Sequence, residues 1–267
     1  DILVAIAEHK SNGLRLSAFD GSTEASRPAQ MVEAALDYRL SRPILVDVSD
    51  ASDGYEAFLA ALARGCDVAT ANKKPLADDL GVYQALQTAA EAHGRVVRAE
   101  ATVGAGLPVI DTLDMLLSTG DSLRSARGCL SGTLGYLMGA LEEGQSFSAA
   151  VRKAVDLGYT EPDPVADLSG VDVARKATIL ARLAGWPSGE PPVNLTGLVG
   201  EDKAGMALEE LFAHLETLDT DIGAQVKAAE SEGKVLRFVA SVSPDAITVG
   251  LESVPKASPL GGLEGSD

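Results

Sequence analysis

Glu161, Asp163, Asp167 and Asp172 fall within a dozen residues of one another, and Lys176 follows Asp172 by four positions. Pro162 and Pro164 stiffen the stretch between the first acidic residues, because a proline ring fixes φ and removes conformational freedom from the turn. On a helix, residues i and i+4 share a face, so Asp172 and Lys176 project side by side. Carboxylates brought this close repel one another until a cation arrives, and the ammonium of an amino acid is such a cation. A lysine beside them can hand a proton to an oxygen. The simpler reading of Asp172 and Lys176 is an ordinary i,i+4 ion pair worth a few tenths of a kcal/mol. The simpler reading of Glu161–Pro162–Asp163–Pro164 is a rigid turn, in which Asp163 has a capping role.

These side chains need a scaffold. The chain opens on an apolar strand, Ile-Leu-Val-Ala-Ile-Ala, within Asp1–Lys10. A helix is predicted over Ala29–Tyr38, and Pro43–Val48 is an unbroken apolar run of the kind found in buried parallel strands. Helices over Tyr55–Arg64 and Leu80–His93 alternate with strands over Asp67–Ala71 and Arg95–Ala99. That alternation implies βαβ crossovers and a mostly parallel sheet. After Glu100 the rhythm changes. Pro108 suits the first turn of a helix reaching Leu117, and Arg124–Leu130 reads as a strand. Helices are predicted near Leu134–Glu143, Ser148–Asp156 and Glu209–Leu215. The helix bearing Asp172 and Lys176 extends to about Ala184, with Val173, Ala177, Leu180 and Ala184 as its buried stripe. Val235–Val242 and Ala246–Glu252 form a hairpin turned at Pro244–Asp245. The fold class is therefore α/β: a Rossmann-type parallel sheet over residues 1–100, then an α+β domain over 101–267.

Composition narrows the function. The 267 residues carry 39 acidic against 22 basic groups, a net charge of −17. That balance repels phosphate backbones and anionic bilayers, so neither nucleic acid nor a membrane is expected as a partner. Hydrophobic residues make up 46% and charged residues 23%, values of a globular chain able to bury a core. No apolar stretch reaches spanning length. Cys66 and Cys129 are read as reduced core thiols in a cytoplasmic protein. His9, His93 and His214 lack any zinc-ligand spacing, and no Ser/His/Asp arrangement is suggested.

Two further stretches bear on chemistry. Lys73 and Lys74 follow a predicted strand at the carboxyl edge where open α/β sheets bind ligands; solvated turn lysines are the simpler reading. Thr102–Gly106 (TVGAG) admits a helix start, a cation loop or a phosphate cradle, since glycine lets backbone approach a ligand closely.

Five stretches in order resemble homoserine dehydrogenase: Ala69–Ala77 (ATANKKPLA), Glu100–Leu113 (EATVGAGLPVIDTL), Gly128–Leu141 (GCLSGTLGYLMGAL), Leu157–Arg182 and Ser258–Asp267 (SPLGGLEGSD). The resemblance implies an NAD(P)-dependent oxidoreductase that interconverts L-aspartate 4-semialdehyde and L-homoserine by hydride transfer, on the route to threonine and methionine. By the same resemblance Lys176 is the proton donor, and Lys73 assists at the substrate oxygen and the nicotinamide. Glu161, Asp167 and Asp172 hold the amino acid, while Ser49 and Gly158 approach the cofactor. Glu100, Val103, Ala105 and Leu107 correspond to a monovalent-cation site for Na⁺ or K⁺, and a homodimer is implied.

The sequence also departs from the family. No G-x-G-x-x-G fingerprint occurs in the expected place, so the nucleotide-binding sheet is read as incomplete and the chain as the retained core of a somewhat longer enzyme. Glu8 suits a ribose hydroxyl and NAD, whereas Lys10 suits the 2′-phosphate of NADP. Gly135 stands where the family often has Asn. Two rivals stay open: an amino-acid-binding module or cofactor-deficient fragment without turnover, and a lyase using Lys176 as a Schiff base.

Overall fold

The computed structural model describes Glu8 and residues 11–13, 27–186 and 188–263. The expected opening strand and Lys10, with its expected part in cofactor choice, lie outside these residues, as do the last four residues of the Ser258–Asp267 motif. The described chain forms two compact units.

The first unit comprises the described residues up to Asp47, with Ala51–Ala69 and Gln84–Val97. Helix α1 (Pro28–Leu36) begins on a proline, and the Gln30 side chain accepts the Arg27 backbone N–H at 3.1 Å. It is followed by β1 (Ile44–Asp47), α2 (Gly54–Ala63) and β2 (Asp67–Thr70). Gly65 ends α2 with φ of 81°, a conformation open to glycine without cost. Arg64 pairs with Glu33 and Asp37 and so ties α2 to α1. After α3 (Lys74–Ala77), which belongs to the second unit, α4 (Leu80–His93) leads to the short β3 (Val97–Arg98). The three strands form a parallel sheet in the order β1-β2-β3.

The apolar run at Pro43–Val48 is a strand, but not a buried one. Ile44 and Val46, two apart and so on one face of β1, are 62% and 63% exposed, and β1 is an edge of the sheet among the described residues. Hydropathy alone does not distinguish an edge strand from a central one. The Arg95–Ala99 strand shrinks to two residues, since the Val96 N–H is taken by the Asp67 carboxylate at 3.1 Å.

The second unit holds Val48–Asp50, Thr70–Tyr83 and the described residues from Arg98 onward. Its helices are α5 (Val109–Ser118), α6 (Gly132–Glu142), α7 (Phe147–Asp156), α8 (Val165–Leu168), α9 (Val171–Ala184) and α10 (Leu208–Ser231). Its strands are β4 (Ala126–Gly128), β5 (Val193–Leu195), β6 (Lys234–Val242) and β7 (Ile247–Pro255). They form one sheet in the order β4-β6-β7-β5, antiparallel except for the parallel β5–β7 pair. The expected hairpin is β6–β7, with Val242 opposite Ile247 at its turn.

Side chains alternate across this sheet, as the pleat requires. Leu236, Phe238, Ala240 and Val242 face the main core, built from α6, α7, α8, α9 and α10, while Val235 and Val239 face a smaller cluster with Val254. On α9, Val173, Ala177 and Leu180 are buried as expected, whereas Ala184 is only partly covered where the helix ends on Gly185. Helix α10 is far longer than the Glu209–Leu215 segment expected, and β5 was not anticipated at all. The buried Arg237 donates to the backbone carbonyls of Leu260, Gly261 and Leu263 and pairs with Glu142, fixing the turn beyond β7.

Candidate active site

All residues of the site belong to the second unit. The turn after β2 is built by its own polar side chains. Asn72, 2% exposed, donates its backbone N–H to Thr70 Oγ1 at 2.9 Å, and its side-chain oxygen accepts the Lys74 N–H at 3.1 Å. This Asx-type turn starts α3 and leaves Lys73 as its N-cap. Lys74 turns elsewhere, to the Asp50 carbonyl and carboxylate at 2.7 and 2.9 Å.

The acidic stretch is ordered in the same way. Asp163 accepts the Val165 N–H at 3.0 Å and the Gly205 N–H at 2.8 Å, the turn-stabilising use expected for it. Asp167 accepts the Glu161 N–H at 2.8 Å, so one carboxylate fixes the backbone beneath the other. Thr133, in the first turn of α6, donates to the Tyr159 carbonyl at 2.7 Å. Gly170 then starts α9 in the left-handed region, with φ of 74°.

On α9, Asp172 receives two cations. Its Oδ1 lies 3.1 Å from Lys73 Nζ and its Oδ2 lies 2.9 Å from Lys176 Nζ. Lys176 also donates to the Leu130 carbonyl at 2.6 Å. The expected i,i+4 pair is therefore part of a three-membered bridge, Lys73–Asp172–Lys176, drawn from two distant segments of sequence. Burial raises the pKa of Asp172, but the two lysines outweigh it and leave the carboxyl below its usual range. Asp167 moves the other way. Burial lifts its pKa, with the charges of Glu161 and Asp172 adding to the rise, and its hydrogen bonds only partly offset this.

Ser49, Lys73, Glu161, Asp167, Asp172 and Lys176 all line one open cavity of about 950 Å³. The structure thus brings together six of the residues singled out in the sequence. Gly158 is not among the lining residues; it closes α7 with φ of 71°. Lining residues not anticipated are Thr133, Arg175 and Glu201. Thr133 lies within the SGT motif and was within reach of sequence reasoning. Glu201 comes from a remote loop and was not. Ser131, Gly132 and Lys176 also border a second, mainly apolar cavity of about 820 Å³.

The cation-loop residues Glu100, Val103, Ala105 and Leu107 occupy one loop before α5. Both Glu100 oxygens are engaged there, accepting the Ile110 and Asp111 N–H groups at 3.1 and 2.7 Å, which makes Glu100 the anionic cap of α5. Ala105 has φ of 51° and neighbouring Gly104 has φ of 89°, so the backbone doubles back tightly. Among the described residues, no group of three or more His, Cys, Asp or Glu side chains is placed to hold a metal ion. Cys66 is buried and Cys129 half-buried, both are free thiols, and burial raises both pKa values. Among the described residues no helix is long and apolar enough to cross a membrane.

The homoserine dehydrogenase family model matches residues 108–267, more than half of the chain. The chain belongs to the homoserine dehydrogenase family. The NAD-binding domain of homoserine dehydrogenase matches residues 2–100. The chain is 40% identical over 245 residues to the homoserine dehydrogenase of Emericella nidulans, which covers 85% of this chain and 65% of that protein. It is 37% identical over 254 residues to the bifunctional aspartokinase/homoserine dehydrogenase of Haemophilus influenzae, covering 93% of this chain and 31% of that one. The chain therefore spans about two thirds of the first relative and about a third of the second. A hyperthermophilic archaeal homoserine dehydrogenase in complex with NADPH superposes with a TM-score of 0.70 at 26% identity, over 99% of this chain and 70% of that one. As in these family members, the fold is α/β with a Rossmann-like sheet.

Proposed function

We propose that this chain carries the catalytic core of an NAD(P)-dependent homoserine dehydrogenase, which interconverts L-aspartate 4-semialdehyde and L-homoserine. The observation that carries the proposal is Asp172 held between Lys73 and Lys176 in a cavity also lined by Glu161 and Asp167. A four-carbon amino acid fills only part of about 950 Å³, so the cavity has room for one end of a second ligand. Ser49 and Lys73 line that space and suit a polar carboxamide and ring. When bound, the nicotinamide supplies or accepts the hydride at the carbonyl carbon.

The remaining chemistry belongs to the protein. Glu161 and Asp167 receive the substrate ammonium, whose charge relieves their mutual repulsion. In the reducing direction Lys176 donates its Nζ proton to the aldehyde oxygen as charge builds there. Asp172 keeps Lys176 aimed, and Lys73 adds positive charge near the same oxygen. In the reverse direction Lys176 takes the hydroxyl proton back.

By this reading residues 1–100 serve the nucleotide and residues 101–267 serve catalysis and dimerisation. Glu100, with the carbonyls of Val103, Ala105 and Leu107, would hold a monovalent cation, since a carboxylate retains lone pairs beyond the two N–H groups that Glu100 accepts. The protein is placed in the cytoplasm, in keeping with its free thiols, and on the route to threonine and methionine. A homodimer would form through the β4-β6-β7-β5 sheet; sedimentation as a particle of two chains is expected, and a monomer at micromolar concentration would refute that part.

The test is homoserine-dependent reduction of NAD⁺ and NADP⁺ by the full-length gene product. Reduction that disappears in Lys176→Ala is expected. Homoserine binding without reduction of either nucleotide would instead favour a binding module.

A further inference from the structure

Arg182 is a cation with almost no access to water, its side chain being 2% exposed. A buried guanidinium is retained only where its donors are satisfied, and the partners of Arg182 are informative. Its Nε and Nη2 meet the Glu190 carboxylate at 2.6 and 3.3 Å. Its Nη1 donates to the Leu76 carbonyl at 2.7 Å and lies 3.4 Å from the Asp79 carbonyl. The guanidinium carbon stands 5.4 Å from the centre of the Tyr83 ring.

Leu76 belongs to α3, the single turn that Lys73 caps, and the Leu76 N–H donates to the Lys73 carbonyl at 3.0 Å. Arg182 therefore grips the carbonyl end of the turn whose other end presents Lys73. Arg182 lies on α9, the helix that also carries Asp172 and Lys176. Ten residues at about 1.5 Å each put it roughly 15 Å along the helix from Asp172. A second link lies between these points, where Arg175 pairs with Asp78 at 2.6 Å. Positions 175 and 182 are seven apart and so share one face of α9.

We infer that Arg182, neutralised by Glu190, is a positioning residue that sets the reach of Lys73 to Asp172. Without it the more exposed Arg175–Asp78 pair and the packing of Pro75, Leu76 and Ala77 are left to hold α3, and a four-residue helix has no cooperative stability of its own. A small displacement of α3 then opens the 3.1 Å Lys73–Asp172 contact, while Lys176, on the same helix as Asp172, keeps its own contact. The consequence for turnover rests on the dehydrogenase reading; the consequence for Lys73 does not.

Two readouts separate the cases. The first needs no activity: the acetylation rate of Lys73, followed by mass spectrometry in the full chain, with Lys234 and Lys256, which do not line the cavity, as references. Arg182→Gln and the milder Glu190→Gln are each expected to raise the Lys73 rate several-fold and leave both references unchanged. An unchanged Lys73 rate in folded Glu190→Gln protein overturns the inference. The second is a kinetic cycle. Glu190→Gln is expected to lower kcat about tenfold with little change in KM for homoserine, and to have no further effect in a Lys73→Ala background. An equal loss in both backgrounds shows that the pair acts on stability alone and overturns the inference. Failure of the wild-type chain to reduce nucleotide defeats the dehydrogenase reading and leaves the acetylation test standing.

Discussion

Asp172 and Asp167 share a cavity yet answer to opposite forces. Two lysines hold Asp172 below the usual carboxylate range despite its burial. Its contribution to stability is thus complete above the unfolded-chain value of about 3.9 and lost as pH falls through the lower folded value. Burial and two neighbouring carboxylates raise Asp167, so its contribution is greatest below about 3.9 and falls as pH rises through the raised folded value. Urea midpoints measured from pH 3 to pH 7 should show both trends. Asp172→Asn loses stability relative to the parent at pH 7, and the gap closes in acid. Asp167→Asn, which still accepts the Glu161 N–H, gains on the parent as pH rises above about 4. Parallel curves for parent and variants would contradict both assignments. In the assay, Asp172→Asn is expected to cost about 10- to 100-fold in kcat/KM, the worth of one charged hydrogen bond.

Helix α9 has to start at a fixed place, because its first turn supplies Asp172 and its second supplies Lys176. Gly170 sets that start. Its φ is 74°, and a Cβ there would lie 2.7 Å from Phe238 Cζ and 3.1 Å from Leu195 Cδ1. Gly170→Ala is thus expected to destabilise the protein by about 2 kcal/mol or more, from left-handed strain and overpacking together; a urea midpoint within error of the parent would refute this. The sequence announces α9 clearly, since i,i+4 pairing, an apolar stripe and flanking glycines all agree. It announces the chemistry of Asp172 and Lys176 as well. The third member of the bridge was legible only through the family's motif, because Lys73 lies about a hundred residues away in sequence and periodicity carries no long-range distance. Arg182 was hidden for a related reason. An arginine on an amphipathic helix reads as solvated until the carbonyl it satisfies, Leu76, is seen. Strand β5 escaped because a three-residue edge strand has too little pattern to detect, and β1 misled because its apolar run is exposed.

The two units differ sharply in what they bury. The second has a continuous core from Leu134 through Val249, joining α6, α7, α8, α9 and α10 to one face of its sheet. In the first, the buried apolar residues among those described are confined chiefly to α2, β2 and α4, with Phe58, Leu62, Val68 and Leu86 the main ones. Stability follows burial, and regions with little buried apolar surface open locally at low free-energy cost. Hydrogen exchange should therefore be slowest in β6 and β7, where nine consecutive residue pairs lie in register. Amides of β1 and β3 should exchange faster by orders of magnitude. A net charge of −17 sharpens the contrast at low ionic strength, since self-repulsion acts on the less tightly held unit first. Ligands provide the decisive comparison. If residues 1–100 serve the nucleotide, NADP⁺ or NAD⁺ at about a hundred times its Kd stabilises the unit that binds it by about 2.7 kcal/mol. That gain should appear as slower exchange across α1, α2 and β2 with little change in β6. Homoserine alone should slow exchange around α8 and the start of α9 instead. Equal protection of both units by either ligand would show that substrate and nucleotide sites are not divided near Glu100.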